Sequence, residues 1–445
     1  MSPLDVEGPL VPQAAVPLLP AAAAYLAFGV LSPFLLTHPR VRGGLGRRLG
    51  FYPEDPVQGP GPRVWLHGAS AGDVLGLVPI VRELKALRPD ARVIVSSITD
   101  SGAAMAEQRL LRLPRPLVDA VTFLPYDLPG AVRRTLDRLR PDVLVLEYTE
   151  LWPQLIAAAS RRGTRLALTN GRIGPRNVWR YRLLFRLVGN LLGAFDLLLM
   201  RADDEAERAL QLGAPAARVR VTGNTKFDAL AVSIPDGPDE RLREALALGG
   251  ERLWVCGSTH EGEEGALLDV YARLRHDVPD LRLLIAPRYV ERSGRIAALA
   301  RERGLSAGLR SQLPGPRARS QVVVLDTIGE LVGAYTLASV VFVGGSFTAR
   351  GGQNILEPAG CGKPVLFGPR MENFLDSVQV LVGRGGLQVS SAAALEQLLR
   401  DLLARPGEIE KLGQLAREAV SSVRGASARD ARLIAEMLPP PEVAA

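Results

Sequence analysis

Short apolar runs alternate with longer amphipathic stretches along almost the whole chain, and the alternation starts twice. The first series is Arg63 to His67, Arg92 to Ser96, Ala120 to Leu124, Val143 to Leu146, Arg165 to Leu168 and Leu197 to Met200. The second is Leu253 to Cys256, Leu281 to Ala286, Val322 to Leu325, Val340 to Val343 and Pro364 to Phe367. Strands this short and uniformly apolar are buried on both faces, as in a parallel sheet between two helix layers. Leu75 to Leu87, Glu291 to Arg303, Ala393 to Leu403 and Ile409 to Val423 have the spacing of such helices. The fold class expected is therefore α/β, with two doubly wound, Rossmann-like domains facing one another across a cleft. Pro235, Asp236, Gly237 and Pro238 interrupt the pattern between them. The boundaries that follow are an N-terminal segment 1–48, a first domain 49–228, a linker 229–250 and a second domain 251–445. At 445 residues the chain can fill both cores.

Ala14 to Leu36 carries no charged residue. As a helix it would be about 35 Å long, enough to cross a bilayer. Pro17, Pro20 and Pro33 near its ends leave two readings open, a span from about Leu18 to Leu36 or a shallow anchor. A buried core helix is the bland alternative. Asp5 and Glu7 precede the stretch; Arg40, Arg42, Arg47 and Arg48 follow it. That asymmetry puts the main body in the cytoplasm. The acidic start argues against a cleaved signal peptide.

The net charge of +7 is modest for this length, and aromatic residues are only 5%. No basic stripe with interleaved aromatics occurs, so nucleic acid is not an expected partner. Basic residues are almost all arginine; the lysines are Lys85, Lys226, Lys363 and Lys411. Cys256 and Cys361 have neither disulfide nor metal-ligand spacing, and the 4 histidines are scattered. Neither a metal nor a resident cofactor is expected.

Ligands of doubly wound sheets bind beyond the carboxyl ends of the strands. In the first half those loops are His67 to Asp73, Ser97 to Gly102, Glu147 to Glu150 and Thr169 to Arg172. Helix capping by Ser70, Asp100 or Ser101 explains one such loop well. It does not explain four in succession bearing carboxylates, amides or hydroxyls. In the second half the loops are Gly257 to Glu261, Pro287–Arg288, Asp326 to Glu330 and Ser339 to Pro358. The last of these runs from the strand Val340 to Val343 through Gly344-Gly345-Ser346, then Gly351-Gly352, to the helical start Ile355-Leu356-Glu357. Glycines there let a ligand approach the backbone, and the next helix's free N–H groups favour an anion. A nucleotide pocket and a tight strand-to-helix turn are both consistent with that stretch. Two such domains suit a reaction between a large donor and a large acceptor.

The strand-end loops also match a known family. The chain resembles the bacterial 3-deoxy-D-manno-octulosonic acid (Kdo) transferases, which are membrane-anchored GT-B glycosyltransferases, from about residue 40 to 435. The matching stretches include HGASAGDV at His67, TDSG at Thr99, TELWP at Thr149, TNGRI at Thr169, VTGNTKFD at Val221, GSTHEGEE at Gly257, APRYVER at Ala286, LDTIGEL at Leu325 and VGGSFTARGGQNILEP at Val343. The resemblance implies metal-independent transfer of Kdo from CMP-Kdo to a lipid A precursor in lipopolysaccharide biosynthesis, at the cytoplasmic face of the inner membrane. It puts the general base at Asp73, where the family's H-x-x-S-x-G-E motif ends in glutamate, and a transition-state lysine at Lys226. CMP contacts fall on Pro287, Arg288, Ile328, Gly329, Glu330, Asn354, Ile355, Leu356 and Glu357. Ser70, Gly72, Glu147, Glu150 and Arg172 are acceptor-side candidates.

Further departures stand out. The family's E-x-E-L-W-P has Tyr148 at its first acid, with Glu147 one residue earlier; on a strand that step reverses the face unless a bulge intervenes. GGHN has become GGQN at Gln353, and N-A-R-I-S has become Asn170-Gly171-Arg172-Ile173-Gly174. Donor-side motifs are nearly intact and acceptor-side motifs have drifted, which implies a changed acceptor or a changed number of transfers. Asp73 and Tyr148 also motivate a reading in another class, a catalytically weakened paralogue serving as a membrane-bound CMP-sugar-binding or assembly subunit. A transferase using UDP-sugars on the same scaffold is a third.

Overall fold

The structure, a computed structural model, describes residues 25–26, 28–30, 43–231, 234–235, 237–315 and 319–440. The chain forms two compact units. One runs through Ala229 and takes up the chain again from Gly425; the other is Leu230–Arg424.

The first unit is built on a seven-stranded, wholly parallel sheet. Its strands are β1 (Arg63–His67), β2 (Arg92–Ser97), β3 (Ala120–Phe123), β4 (Val143–Glu147), β5 (Arg165–Gly171), β6 (Leu197–Met200) and β7 (Val219–Val221), in the spatial order β3-β2-β1-β4-β5-β6-β7. Successive side chains of each strand enter opposite cores. Trp65, Ile94, Leu144 and Leu166 pack into one apolar cluster, and Val64, Val93, Val143 and Ala167 into the other. The second core also takes Ala431, Ile434, Met437 and Leu438, at and just beyond the helix Ala426–Glu436. The domain boundary expected at the carboxyl end is thereby corrected. Residues from Gly425 onward belong to the first unit, because that helix buries its apolar stripe on the helix Ala71–Leu87 and the first sheet.

The second unit repeats the architecture with β8 (Arg252–Thr259), β9 (Leu281–Pro287), β10 (Ala307–Leu309), β11 (Val322–Val324), β12 (Val340–Val343), β13 (Val365–Phe367) and β14 (Gly386–Gln388). All pairs are parallel, in the order β10-β11-β9-β8-β12-β13-β14. The strand order reverses direction between β1 and β4 in the first sheet and between β8 and β12 in the second. At such a point the outgoing loops turn to opposite faces and leave a crevice at the strands' carboxyl ends.

The anchor expected over residues 14–36 lies outside the described residues apart from Tyr25, Leu26 and Phe28 to Val30, which are helical. Tyr25 Oη accepts a hydrogen bond from the Gly130 N–H at 3.1 Å. Among the described residues no helix is long and apolar enough to cross a membrane.

Candidate active site

In the first unit, β1 ends at His67 and Gly68 leads into the helix Ala71–Leu87. A Cβ on Gly68 would stand 2.9 Å from Val74 N, so the return onto the first helical turn requires glycine. Ser70 is the N-cap. Its N–H and its hydroxyl both donate to Asp73 Oδ2, at 2.9 and 2.7 Å. The capping reading is thus correct for this loop, but it occupies only half of the carboxylate. Among the described residues Asp73 Oδ1 accepts no hydrogen bond.

Asp73 lines a polar cavity of about 550 Å³ at the crevice between β1 and β4. Tyr148, Thr149 and Glu150 reach it from the end of β4, and Arg172 and Gly174 from the end of β5. Asn177 and Tyr181 come from the start of the helix Val178–Val188, and Lys226 from the helix Thr225–Ala231. Two carboxylates, Asp73 and Glu150, and two cations, Arg172 and Lys226, therefore meet on one surface. Burial, and then the charge of Asp73, raises the Glu150 pKa. Lys226 Nζ stands 4.7 Å from the centroid of the Tyr148 ring. Ser70 acts through its cap, and Gly72 is exposed on the first helical turn, where a Cβ would stand 3.8 Å from Ser70 Oγ.

Glu147 is not on this surface, which corrects its place among the acceptor-side candidates. It ends β4 fully buried, with Oε1 just 3.1 Å from where a Cβ on Gly76 would stand. Tyr148 follows in the left-handed region at φ 53°, and this residue makes the turn that sends the chain to the cavity. No bulge in β4 is involved; the register shift lies in β5, between Leu168 and Gly171, where Asn170 has φ 49°.

Beneath the cavity runs a buried polar chain. Glu147 accepts from Thr169 Oγ1 at 2.6 Å and from Asn170 Nδ2 at 2.5 Å. Asn170 Nδ2 also donates to Thr225 Oγ1 at 2.5 Å, and Thr225 N donates back to Asn170 Oδ1 at 2.9 Å. Thr225 Oγ1 donates to the Gly76 carbonyl at 3.1 Å. The chain ties the ends of β4 and β5 to the helices that carry Asp73 and Lys226, and so fixes those two groups relative to each other.

Burial pushes Glu147 up to about 7, against the bonds from Thr169 and Asn170; Asp73 adds to the rise and Lys226 opposes it. Asp430, fully buried on the helix Ala426–Glu436, is pushed up to about 8, again chiefly by burial, with the Glu147 charge adding and Thr222 and Arg429 opposing. Both folded pKa values exceed the unfolded ones, so the folded chain retains protons that the unfolded chain releases. Stability is then greatest below the ordinary carboxyl range, falls progressively as pH rises from there, and levels off once pH has passed about 7 for Glu147 and about 8 for Asp430. For Glu147 alone the loss is on the order of 3 kcal/mol. The urea midpoint is expected to be higher at pH 5.5 than at pH 8.5, and Glu147→Gln, which mimics the neutral acid, should flatten that slope. An unchanged slope in the variant would remove Glu147 as its source.

In the second unit the loops at the crevice between β8 and β12 are packed directly together. A Cβ on Gly344 would come within 2.5 Å of Thr259 Cα and 2.7 Å of Ser258 O. Glu263 Oε1 accepts from His260 N at 2.8 Å and Gly345 N at 2.6 Å. Gly351 and Gly352 both adopt φ 79°, and Gly352 N donates to Gly345 O at 3.0 Å. The glycine pairs thus serve a tight turn held by a buried carboxylate, and the anion-favouring groups lie beside it. The His260 pKa is lowered by burial first and then by the charges of Arg350, Arg288 and Arg292. The neutral ring meets the Gln353 amide, Nε2 to Nε2, at 3.2 Å. Sequence reasoning did not single out His260, Arg292 or Arg350. Only their place in strand-end loops could have marked them.

Pro287 closes β9 and is buried; Arg288 beyond it is exposed, with its N–H bonded to Thr259 O at 2.9 Å. Ile355 and Leu356 are core residues with fully buried side chains, and Leu356 N is capped by Asn354 Oδ1 at 3.0 Å. These two of the expected CMP-contact positions therefore present backbone rather than side chain, because the apolar start of the helix Leu356–Gly360 packs inward. Burial raises the pKa of Glu357 one turn on, against the Asn354 bond. Ile328 is exposed, Gly329 has φ 95°, and Glu330 accepts from Arg310 Nη2 at 2.7 Å and from Thr327 Oγ1. Glu330 lines a separate cavity of about 550 Å³ with Asp239, Arg241, Glu244, Arg310 and Pro314; no other CMP-contact candidate lines it. Among the described residues no group of three or more His, Cys, Asp or Glu is placed to hold a metal ion.

Comparison with known proteins gives concordant results. The family described as 3-Deoxy-D-manno-octulosonic-acid transferase (kdotransferase) matches residues 43–229. The 3-deoxy-D-manno-octulosonic acid transferase of Haemophilus influenzae is 31% identical over 403 residues, 88% of this chain and 90% of that protein. The enzyme of the same name from Chlamydophila psittaci is 32% identical over 373 residues, 83% of this chain and 84% of that one. The crystal structure of a glycosyltransferase from Rickettsia africae ESF-5 shares the fold at a TM-score of 0.51 and 12% identity, covering 85% of this chain and 99% of that one.

Proposed function

The chain belongs to the 3-deoxy-D-manno-octulosonic acid transferase family, and from that premise we propose how its residues divide the work of the reaction. It is a glycosyltransferase that transfers Kdo in lipopolysaccharide synthesis. In the proposed mechanism the donor is CMP-Kdo, held by the second unit, and the acceptor is a lipid A precursor whose hydroxyl enters the first unit's cavity. The acceptor oxygen forms the new bond to the anomeric carbon as the bond from that carbon to the CMP phosphate breaks. CMP departs with the electron pair, and the hydroxyl proton passes to Asp73 Oδ1. Lys226 stabilises the negative charge that develops. Arg288 and the neighbouring arginines around His260 favour the donor's phosphate and carboxylate.

The observation that carries this reading is the placement of Asp73 and Lys226 on one cavity, over a common buried network. Asp73 differs from the family's glutamate by one methylene, so the acceptor hydroxyl must come closer to the loop. The free oxygen of the capped carboxylate gives it a fixed target.

We place the protein at the cytoplasmic face of the inner membrane. The helix Val178–Val188 supports that placement, since Trp179, Leu183 and Leu187 are exposed at i, i+4 and i+8 beside the exposed Arg180, Arg182 and Arg186. A basic helix with an apolar stripe lies in an anionic lipid interface, and Tyr181 of this helix borders the cavity. The chemistry drawn for these residues calls on no metal, so EDTA is expected to leave turnover unchanged.

The decisive experiment supplies the purified protein with CMP-Kdo and total membrane lipid and identifies the product by mass. A lipid heavier by one or more Kdo residues is expected. Bound CMP without any lipid product would favour the assembly-subunit reading instead.

A further inference from the structure

We propose that Tyr148 is a positioning residue for the transfer, its ring holding the Lys226 ammonium at the cavity without neutralising it. The inference rests on the reading of the cavity given above and concerns a position where this chain departs from its family's pattern. Where the family's motif has a glutamate, this chain has an aromatic ring with a cation 4.7 Å above its centroid. Among the described residues Lys226 forms no ion pair.

The backbone makes the contact deliberate. Tyr148 adopts φ 53°, a region unfavourable for a non-glycine residue that persists only where the surroundings enforce it. Here the enforcement comes from β5, because Tyr148 N donates to Thr169 O at 2.9 Å. The same turn buries Glu147 on the far side and brings the ring to the cavity.

The electrostatic consequence follows from the lining. Asp73 and Glu150 supply two negative groups, and Arg172 and Lys226 two positive ones. A carboxylate at 148 would pair with Lys226 and leave the cavity net negative. A ring attracts the ammonium through its quadrupole and leaves the full charge for an anionic group of the substrate. An ammonium unheld on its flexible stem would sample many rotamers. The ring restricts it at little cost in charge.

The test uses the full-length protein with ¹³Cε-labelled lysine, which is tractable because the chain has only Lys85, Lys226, Lys363 and Lys411. The ring should shift the Lys226 ε-protons upfield. Tyr148→Phe is expected to keep that shift and to hold kcat within about twofold, whereas Tyr148→Leu and Tyr148→Glu lose the shift and about tenfold in kcat, with the donor KM little changed. Wild-type kcat in Tyr148→Leu, alongside a lost kcat in Lys226→Met, would overturn the role of Tyr148 and leave the mechanism standing. Wild-type kcat in Lys226→Met would overturn both. If Tyr148→Phe behaves like Tyr148→Leu, the ring is not what holds the ammonium and the inference fails on that ground alone.

Discussion

Asp73→Asn is expected to lose transfer by about 10²- to 10⁴-fold in kcat while the protein stays folded. The two parts of the expectation have separate physical origins. Asparagine keeps a side-chain oxygen that can accept from the Ser70 N–H and hydroxyl, as Asp73 Oδ2 does at 2.9 and 2.7 Å. The cap on the helix Ala71–Leu87 is therefore retained. What is lost is the basicity of the second oxygen, which accepts no hydrogen bond among the described residues. Asp73→Ala removes both and should cost about 1 kcal/mol of stability in addition to activity, so the asparagine variant is the cleaner probe. Asp73→Glu restores the acid of the family's pattern and should transfer far better than Asp73→Asn, although its carboxylate reaches further into the cavity. The measurement is incorporation of labelled Kdo into lipid, with a melting curve of each variant. Wild-type incorporation by a well-folded Asp73→Asn would end the assignment of Asp73 as the base.

How much of this was legible in the chain depended on which physical signal each part leaves. The central strands are apolar on both faces, and β6 and β12 begin and end where the hydrophobic runs do. The three-residue strands β7, β10 and β14 left no such run. They sit at sheet edges, where one partner suffices and Arg220, Gly308 or Gln388 is tolerated. The helix Ala426–Glu436 was not among the helices expected, and nothing in periodicity says which sheet an apolar stripe covers. Motif matching placed Asp73, Glu150, Arg172 and Lys226 on the strand-end edge, and they meet in one cavity. It failed at Glu147, because a left-handed residue directly after a strand cannot be read from Tyr148 itself. At Ile355 and Leu356, whose side chains are fully buried, a motif position marks backbone and packing.

Lys226→Met should lower kcat by about 10²- to 10³-fold, the range found when one preorganised group is removed from a developing charge. Methionine keeps the unbranched apolar stem that runs past the cavity wall and removes only the cation, so folding should be spared. The backbone around it is anchored independently. Lys226 N donates to Asn224 Oδ1 at 3.0 Å, and the preceding Thr225 is bonded on both sides to Asn170. Affinity for CMP alone should change little if the lysine acts on the transition state, since a charge needed only there raises kcat without tightening the ground state. Lys226→Arg is expected to recover only part of the loss. A planar guanidinium can stack on the Tyr148 ring, but it spreads its charge over a wider group than an ammonium. A fall in CMP affinity matching the fall in kcat would show instead that Lys226 binds the donor in the ground state, and unchanged turnover would take it out of the mechanism.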